Sequence, residues 1–236
     1  MVSNDVAALA VGESCEALLL TPKARVIAPL RVWRRGADDF LLLTEPELGD
    51  RVRSELLRGR FAAKAEIEPE EHVSTLVLGE AGEGIANDEY GVPAAEVLDV
   101  EVAGERLGEE QLERMRIEAG TPRFGRELDD RVLPAEAGLT ERAVSFTKGC
   151  YPGQEPIARQ HYRGKLNRRL RVLDLEGEEM PAPETELVYD GKPVGRITSV
   201  VPGLALGYVR TEVPEEAVLT FAAEPGFARL RSGTPA

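Results

Sequence analysis

The sequence predicts an α+β protein whose C-terminal part is all-β. Three observations carry that expectation. Helical and extended patterns alternate up to Thr147 without a strict strand–helix–strand beat, which disfavours a doubly wound parallel sheet. From Leu170 onward the texture is short strands separated by frequent turn signals. A chain of 236 residues with 42% apolar content also has enough length and hydrophobicity to bury a substantial core.

In chain order, residues 15–20, 25–33 and 39–43 read as strands: short, rich in β-formers and bounded by Pro, Gly or charge. Thr44-Glu45-Pro46-Glu47 has the form of a capping box, and Leu48, Val52, Leu56 and Leu57 follow at helical spacing, predicting a helix over 45–57. Residues 65–67, 75–78 and 97–102 read as strands. Residues 109–119 read as a helix stopped by Gly120, with Pro122 beyond. In the tail, 170–175, 186–189, 194–201, 205–209 and 218–221 read as strands, and Asp190-Gly191 signals a tight hairpin. The stretch 176–186, with its acids and two prolines, reads as a loop inside the tail. A small barrel or sandwich is the natural closure.

Composition excludes several function classes. A net charge of −13 and a pI near 4.8 argue against a chain that coats nucleic acid over its whole surface, so an anionic partner has to meet a local basic patch. Cys15 and Cys150 are too far apart in sequence for CxxC spacing and spell no disulfide framework, and His72 and His161 add little, so a self-contained metal or iron–sulfur site is not expected. No apolar run is long enough to cross a bilayer and residues 1–11 lack signal-peptide features, so no membrane association is expected and the expected location is the cytoplasm.

Chemistry concentrates in Lys148-Gly149-Cys150-Tyr151-Pro152-Gly153-Gln154-Glu155. A neighbouring ammonium favours thiolate, and if Pro152 opens a helix the helix N-terminus adds positive potential beside the sulfur. Gln154 and Glu155 then lie in the first turn. The alternative is that Cys150 is a small buried residue in a tight Gly-flanked turn. Arg159, Arg163, Lys165, Arg168, Arg169 and Arg171 form the local basic patch, suited to a carboxylate tail or a phosphate backbone, or else a solvated face paired with acids. Arg116-Ile117-Glu118-Ala119-Gly120-Thr121-Pro122 closes the second predicted helix. Cys15 reads as core, and Trp33 as cover for a sheet face. No GxxxxGK, GxSxG or HExxH pattern occurs.

The Lys148 to Glu155 segment resembles the signature of the YgfZ-type folate-binding family. Ser3-Asn4-Asp5-Val6, Thr21-Pro22-Lys23-Ala24-Arg25-Val26, Arg116 to Pro122, Phe124-Gly125, Leu133-Pro134, Glu136 and the run from Tyr162 to Arg168 resemble further family segments in the same order, so the likeness covers nearly the whole chain. It implies a fold like the glycine-cleavage T-protein: a folate-binding body over 1–147, the signature and basic connection over 148–169, and a small antiparallel β-barrel over 170–236.

It further implies tetrahydrofolate or a derivative as cofactor, and a role in assembly or repair of iron–sulfur clusters in client or scaffold proteins, and through them in tRNA thiomodification. Cys150 and Lys148 become the reactive pair, supported by Gly149, Tyr151, Gly153, Gln154 and Glu155, with the thiolate reaching into a folate-filled cavity. Arg116, Glu118, Arg159 and Arg163 become candidate folate contacts, and Arg159 to Arg171 a candidate tRNA contact. Two departures stand out. Ala28-Pro29 and Cys150 replace aspartates of aminomethyl-transferring T-proteins, so turnover as an aminomethyltransferase is not expected. The family's usual elements before the Ser3-Asn4-Asp5 segment also do not precede it here, which implies either a misplaced gene start or an N-terminally trimmed fold.

Overall fold

β1 (Ser14–Leu20), β2 (Val26–Arg34) and β3 (Phe40–Leu43) pair antiparallel in that order. The computed structural model describes residues 1–60, 63–79, 84–177, 179–222 and 225–232, so residue 178 of the expected loop and residues 233–236 of the expected tail lie outside the described residues. Strand periodicity sends alternate side chains to two cores. Ala17 and Leu19 join Ile27, Ala28, Leu48 and Val52 on one face, whereas Leu18 and Leu20 join Val26, Ile117, Ile157, Val172 and Leu206 on the other. The second of these cores runs continuously from the body into the C-terminal unit.

A second antiparallel sheet has the order β4 (Ser74–Leu78), β6 (Ala94–Leu98), β5 (Ile85–Asn87). Helices α1 (Gly49–Gly59), α2 (Glu109–Glu118), α3 (Thr140–Ala143) and α4 (Gln154–Arg163) complete the body and the connection. β7 (Arg168–Glu176), β8 (Glu186–Tyr189), β9 (Lys192–Val201), β10 (Leu204–Arg210), β11 (Val218–Phe221) and β12 (Phe227–Leu230) close into an antiparallel barrel, ordered β10-β7-β12-β11-β8-β9. Closure leaves no free strand edge. Between β8 and β9, Asp190 and Gly191 both adopt positive φ, 49° and 70°, as the hairpin signal requires.

Several expectations need correction. The capping box is not formed: the Thr44 hydroxyl donates to the Pro29 carbonyl (2.9 Å), a short 3-10 turn covers Pro46–Leu48, and α1 begins only at Gly49. Residues 65–67 form no strand, because Arg60 and Arg53 donate to the carbonyls of Ala65 and Ile67. The strand expected over 97–102 ends at Leu98, where Asp99 turns to φ 57° and its carboxylate accepts the Val73 N–H. β5, β12 and α3, three or four residues long, were not expected from the sequence.

Candidate functional site

Three features converge on the signature segment. Ser3 Oγ donates to the Ala143 carbonyl (2.5 Å) and accepts the Leu18 N–H (2.7 Å), while Asn4 Nδ2 donates to the Glu16 carbonyl (2.7 Å). The N-terminal strap is thereby stitched between β1 and the end of α3. Lys148 Nζ closes the clasp by donating to the carbonyls of Val2 (2.9 Å) and Asn4 (2.7 Å), with the Tyr151 ring 5.7 Å away. Tyr151 turns inward to the core, and Gly153 caps α4 with φ 84°. A β-carbon at 153 would lie 2.8 Å from Thr21 O and 3.0 Å from Ala24 Cα, so the glycine lets the signature press against the Thr21 to Ala24 turn.

Cys150 is left exposed between these anchors, beside Gly149, which has open space around it. This corrects the expectation of a thiol reaching into a cavity: Tyr151 takes the inward position, and Cys150 lines neither of the two cavities described below. Lys148 is likewise aimed elsewhere. Burial lowers its pKa, and its nearby charged or titrating neighbours are Asp5 and Cys15. The half-buried Cys15 thiol is pushed up by burial and drawn back by the Lys148 charge. The sequence pointed to the Lys148 and Cys150 adjacency, but the fold places the ammonium near Cys15. Gln154 and Glu155 do occupy the first turn of α4, half-buried and exposed respectively.

A first cavity of about 280 Å³ lies among β1, β2, the second sheet, α2 and α3. Its wall is a lattice of ion pairs. Buried Arg31 contacts Glu89 (2.6 Å), Glu16 (3.7 Å) and Glu96 (3.7 Å), and Arg142 contacts Glu16 (2.5 Å). Burial pushes the Glu16 and Glu45 carboxyls up. Ala28 is buried and Pro29 lines the cavity, so β2 supplies no carboxylate there; Glu16, Glu45, Glu89 and Glu96 supply them from other elements.

The donor set fits a pterin-sized ring. Thr121 is 5% exposed and its Oγ1, like Arg142 Nε, is buried without a hydrogen-bond partner among the described residues. The amino-pyrimidinone edge of a pterin presents adjacent N–H donors, which a carboxylate such as Glu45 can accept as a fork.

The expected folate contacts are dispersed. Arg116 lines the first cavity, but its guanidinium is spent on the protein: Glu113 (2.7 Å), Glu127 (3.1 Å), Thr121 O (2.6 Å) and Ser199 (2.8 Å). Glu127 and Ser199, both fully buried, were not singled out from the sequence; a lone Glu and a lone Ser carry no pattern. Glu118 is exposed, paired with Arg114 (3.3 Å), and lines neither cavity. Arg159 and Arg163 are exposed on α4 and line neither.

The basic run is divided as well. Arg168 pairs with Glu136 (3.1 Å) and Arg171 with Glu215 (2.5 Å), while Lys165 and Arg169 border a second cavity of about 550 Å³ between α4 and the barrel. Among the described residues no group of three or more His, Cys, Asp or Glu is placed to hold a metal, and no helix is long and apolar enough to cross a membrane.

Comparison with known proteins adds to this geometry. A family profile described as the C-terminal beta-barrel domain of CAF17 matches residues 167–232, the span of the barrel. Glycine cleavage system aminomethyltransferase T from Bartonella henselae has the same fold, with a TM-score of 0.83 over 99% of this chain and 78% of that one at 19% identity. The tRNA-modifying protein YgfZ of Pectobacterium carotovorum subsp. carotovorum is 27% identical over 224 residues, 79% of this chain and 66% of that protein. Together these comparisons support a resemblance to YgfZ-type, T-protein-like proteins. A further similar protein, the mitochondrial iron-sulfur cluster assembly factor IBA57 homolog of Yarrowia lipolytica, is 32% identical over 117 residues, 49% of this chain and 24% of that protein. The chain thus spans only part of the length of both relatives.

Proposed function

We propose that this chain is a folate-binding accessory protein that supports assembly or repair of iron–sulfur clusters in client enzymes, and through them tRNA thiomodification, acting through the Cys150 thiol. The observation that carries this reading is the exposure of Cys150 on a turn fixed at both ends, by Lys148 on the strap carbonyls and by Gly153 on the Thr21 to Ala24 turn. A rigid, outward thiol suits handover to another protein. One thiol does not complete a cluster's ligand set, so the client or scaffold supplies the remaining ligands.

In this reading residues 1–147 hold folate, 148–169 present the thiol and basic connection, and 170–236 form the barrel unit. Glu45, Thr121 and Arg142 would hold the pterin in the first cavity. Bound tetrahydrofolate supplies an oxidisable ring and a one-carbon-carrying nitrogen. Pro29 at the cavity wall, where β2 supplies no carboxylate, argues against aminomethyl transfer, which needs a carboxylate beside the cationic carbon. A second reading, tRNA contact along α4 and β7, rests on Arg159, Arg163, Lys165 and Arg169, which have no ion pair among the described residues.

Calorimetric titration with tetrahydrofolate tests the cofactor half: we expect saturable binding by the wild type and Cys150→Ala, and weakened binding by Glu45→Gln. Absence of binding by the wild type contradicts it.

A further inference from the structure

Helix α3 stands between the two cavities. Thr140 and Glu141 line the second, and Arg142 and Ala143 line the first. The second cavity, at about 550 Å³, lies within the range of small-molecule sites, and neither Cys150 nor any proposed folate ligand borders it.

Its depth is apolar and its rim is cationic. Ile157 from α4 and Val213 and Leu230 from the barrel side are buried, whereas Lys165, Arg169 and Arg210 are exposed and Arg171 is half-buried. Two carboxylates share the lining. Glu215 forks onto Arg171 at 2.7 and 2.5 Å, and Glu141 is exposed without an ion pair among the described residues. Arg210 is matched by Glu212 at 3.0 Å.

That leaves the side chains of Lys165 and Arg169 with no ion pair or hydrogen bond among the described residues, in a chain of net charge −13. Thr140 Oγ1 is buried without a hydrogen-bond partner among the described residues, and His161 borders the cleft with its ring stacked on Phe146 at 4.2 Å. A planar guanidinium and an ammonium at the rim of a cleft of mixed lining complement a terminal phosphate with several acceptor oxygens.

We propose that this cleft binds a small phosphorylated ligand with an apolar or aromatic body, of mononucleotide size, its phosphate between Lys165 and Arg169 and its body against Ile157, Val213 and Leu230. The site is independent of the folate reading.

Calorimetric titration of the full chain with AMP, adenosine and inorganic phosphate tests it. AMP binds saturably and at least tenfold more tightly than adenosine or phosphate. Lys165→Ala and Arg169→Ala each weaken AMP about tenfold, the loss expected for a hydrogen bond to a charged group. Arg159→Ala, an exposed α4 cation outside the cleft, leaves AMP affinity unchanged; all three variants are surface changes, and thermal melting checks their fold. The proposal is overturned if AMP shows no saturable binding at millimolar concentration, or if Arg159→Ala loses as much affinity as the rim variants. It is also overturned if an RNA oligonucleotide binds far more tightly than AMP and loses affinity with Arg159→Ala and Arg163→Ala, which would assign the face to nucleic acid.

Discussion

Gly153 and Ala24 meet backbone to backbone, leaving only 3.0 Å between a β-carbon built at 153 and the Ala24 Cα. Both residues have positive φ, 84° and 58°. Gly153→Ala therefore adds a left-handed strain of about 1–2 kcal/mol and overpacking of about 1–3 kcal/mol. We expect a total loss of about 2–5 kcal/mol in urea unfolding. Gly149→Ala, where nothing lies within 4 Å, is the control and should stay within about 0.5 kcal/mol of wild type. Equal stability of the two variants would show that the signature turn does not bear on the Thr21 to Ala24 turn.

Arg116 and Glu127 form a buried pair at 3.1 Å, with the arginine 2% and the glutamate 0% exposed. Removing one partner leaves the other charged and buried, at a cost of about 3–5 kcal/mol. Arg116→Met should therefore lower the unfolding midpoint strongly, and Arg116→Met combined with Glu127→Gln should cost less than the sum of the singles. If instead Arg116→Met were as stable as wild type and merely lost tetrahydrofolate affinity, Arg116 would be a ligand group rather than a structural one.

His72 links Asp99 (2.6 Å) and Glu70 (3.0 Å), and these hydrogen bonds raise its pKa above the usual 6.5. A raised histidine pKa makes its contribution full below 6.5, to be lost as pH climbs through the raised value. Glu70 is lowered to about 2 by Arg35 and then His72, so its contribution is present above its ordinary 4.5 and lost as pH falls toward 2. Amide protection at Val73, which donates to Asp99, should then be highest between about 4.5 and 6.5 and fall above that window. His72→Gln should remove the fall on the alkaline side. Because these groups are exposed, 1 M salt should flatten the profile. A pH-independent exchange rate, after correction for intrinsic chemistry, would contradict the coupling.

The sequence made the strongly periodic and turn-marked parts legible. β8 and β11 match their expected bounds, and the Asp190-Gly191 hairpin and α2 follow from residue types with definite backbone demands, whereas Pro152 does not open α4, which starts after the Gly153 cap. What stayed hidden depended on distant partners. Thr44 prefers the Pro29 carbonyl across the sheet to a local cap, Lys148 reaches the strap carbonyls instead of its neighbour Cys150, and Arg116 meets Glu127 and Ser199, which lie on other elements. A motif shows which residues occur together in the chain. Which of them face a cavity is decided by packing, as when Tyr151 turns inward and leaves Cys150 outside.

The central claim is that the exposed Cys150 thiol acts on a client and plays no part in folding or in retaining folate. Its most direct test is to replace the native gene by Cys150→Ala and assay iron–sulfur enzyme activity in cell extracts, with the purified variant melted and titrated with tetrahydrofolate in parallel. The account predicts wild-type melting and folate affinity together with lost iron–sulfur enzyme activity. Full enzyme activity with the alanine variant would contradict it.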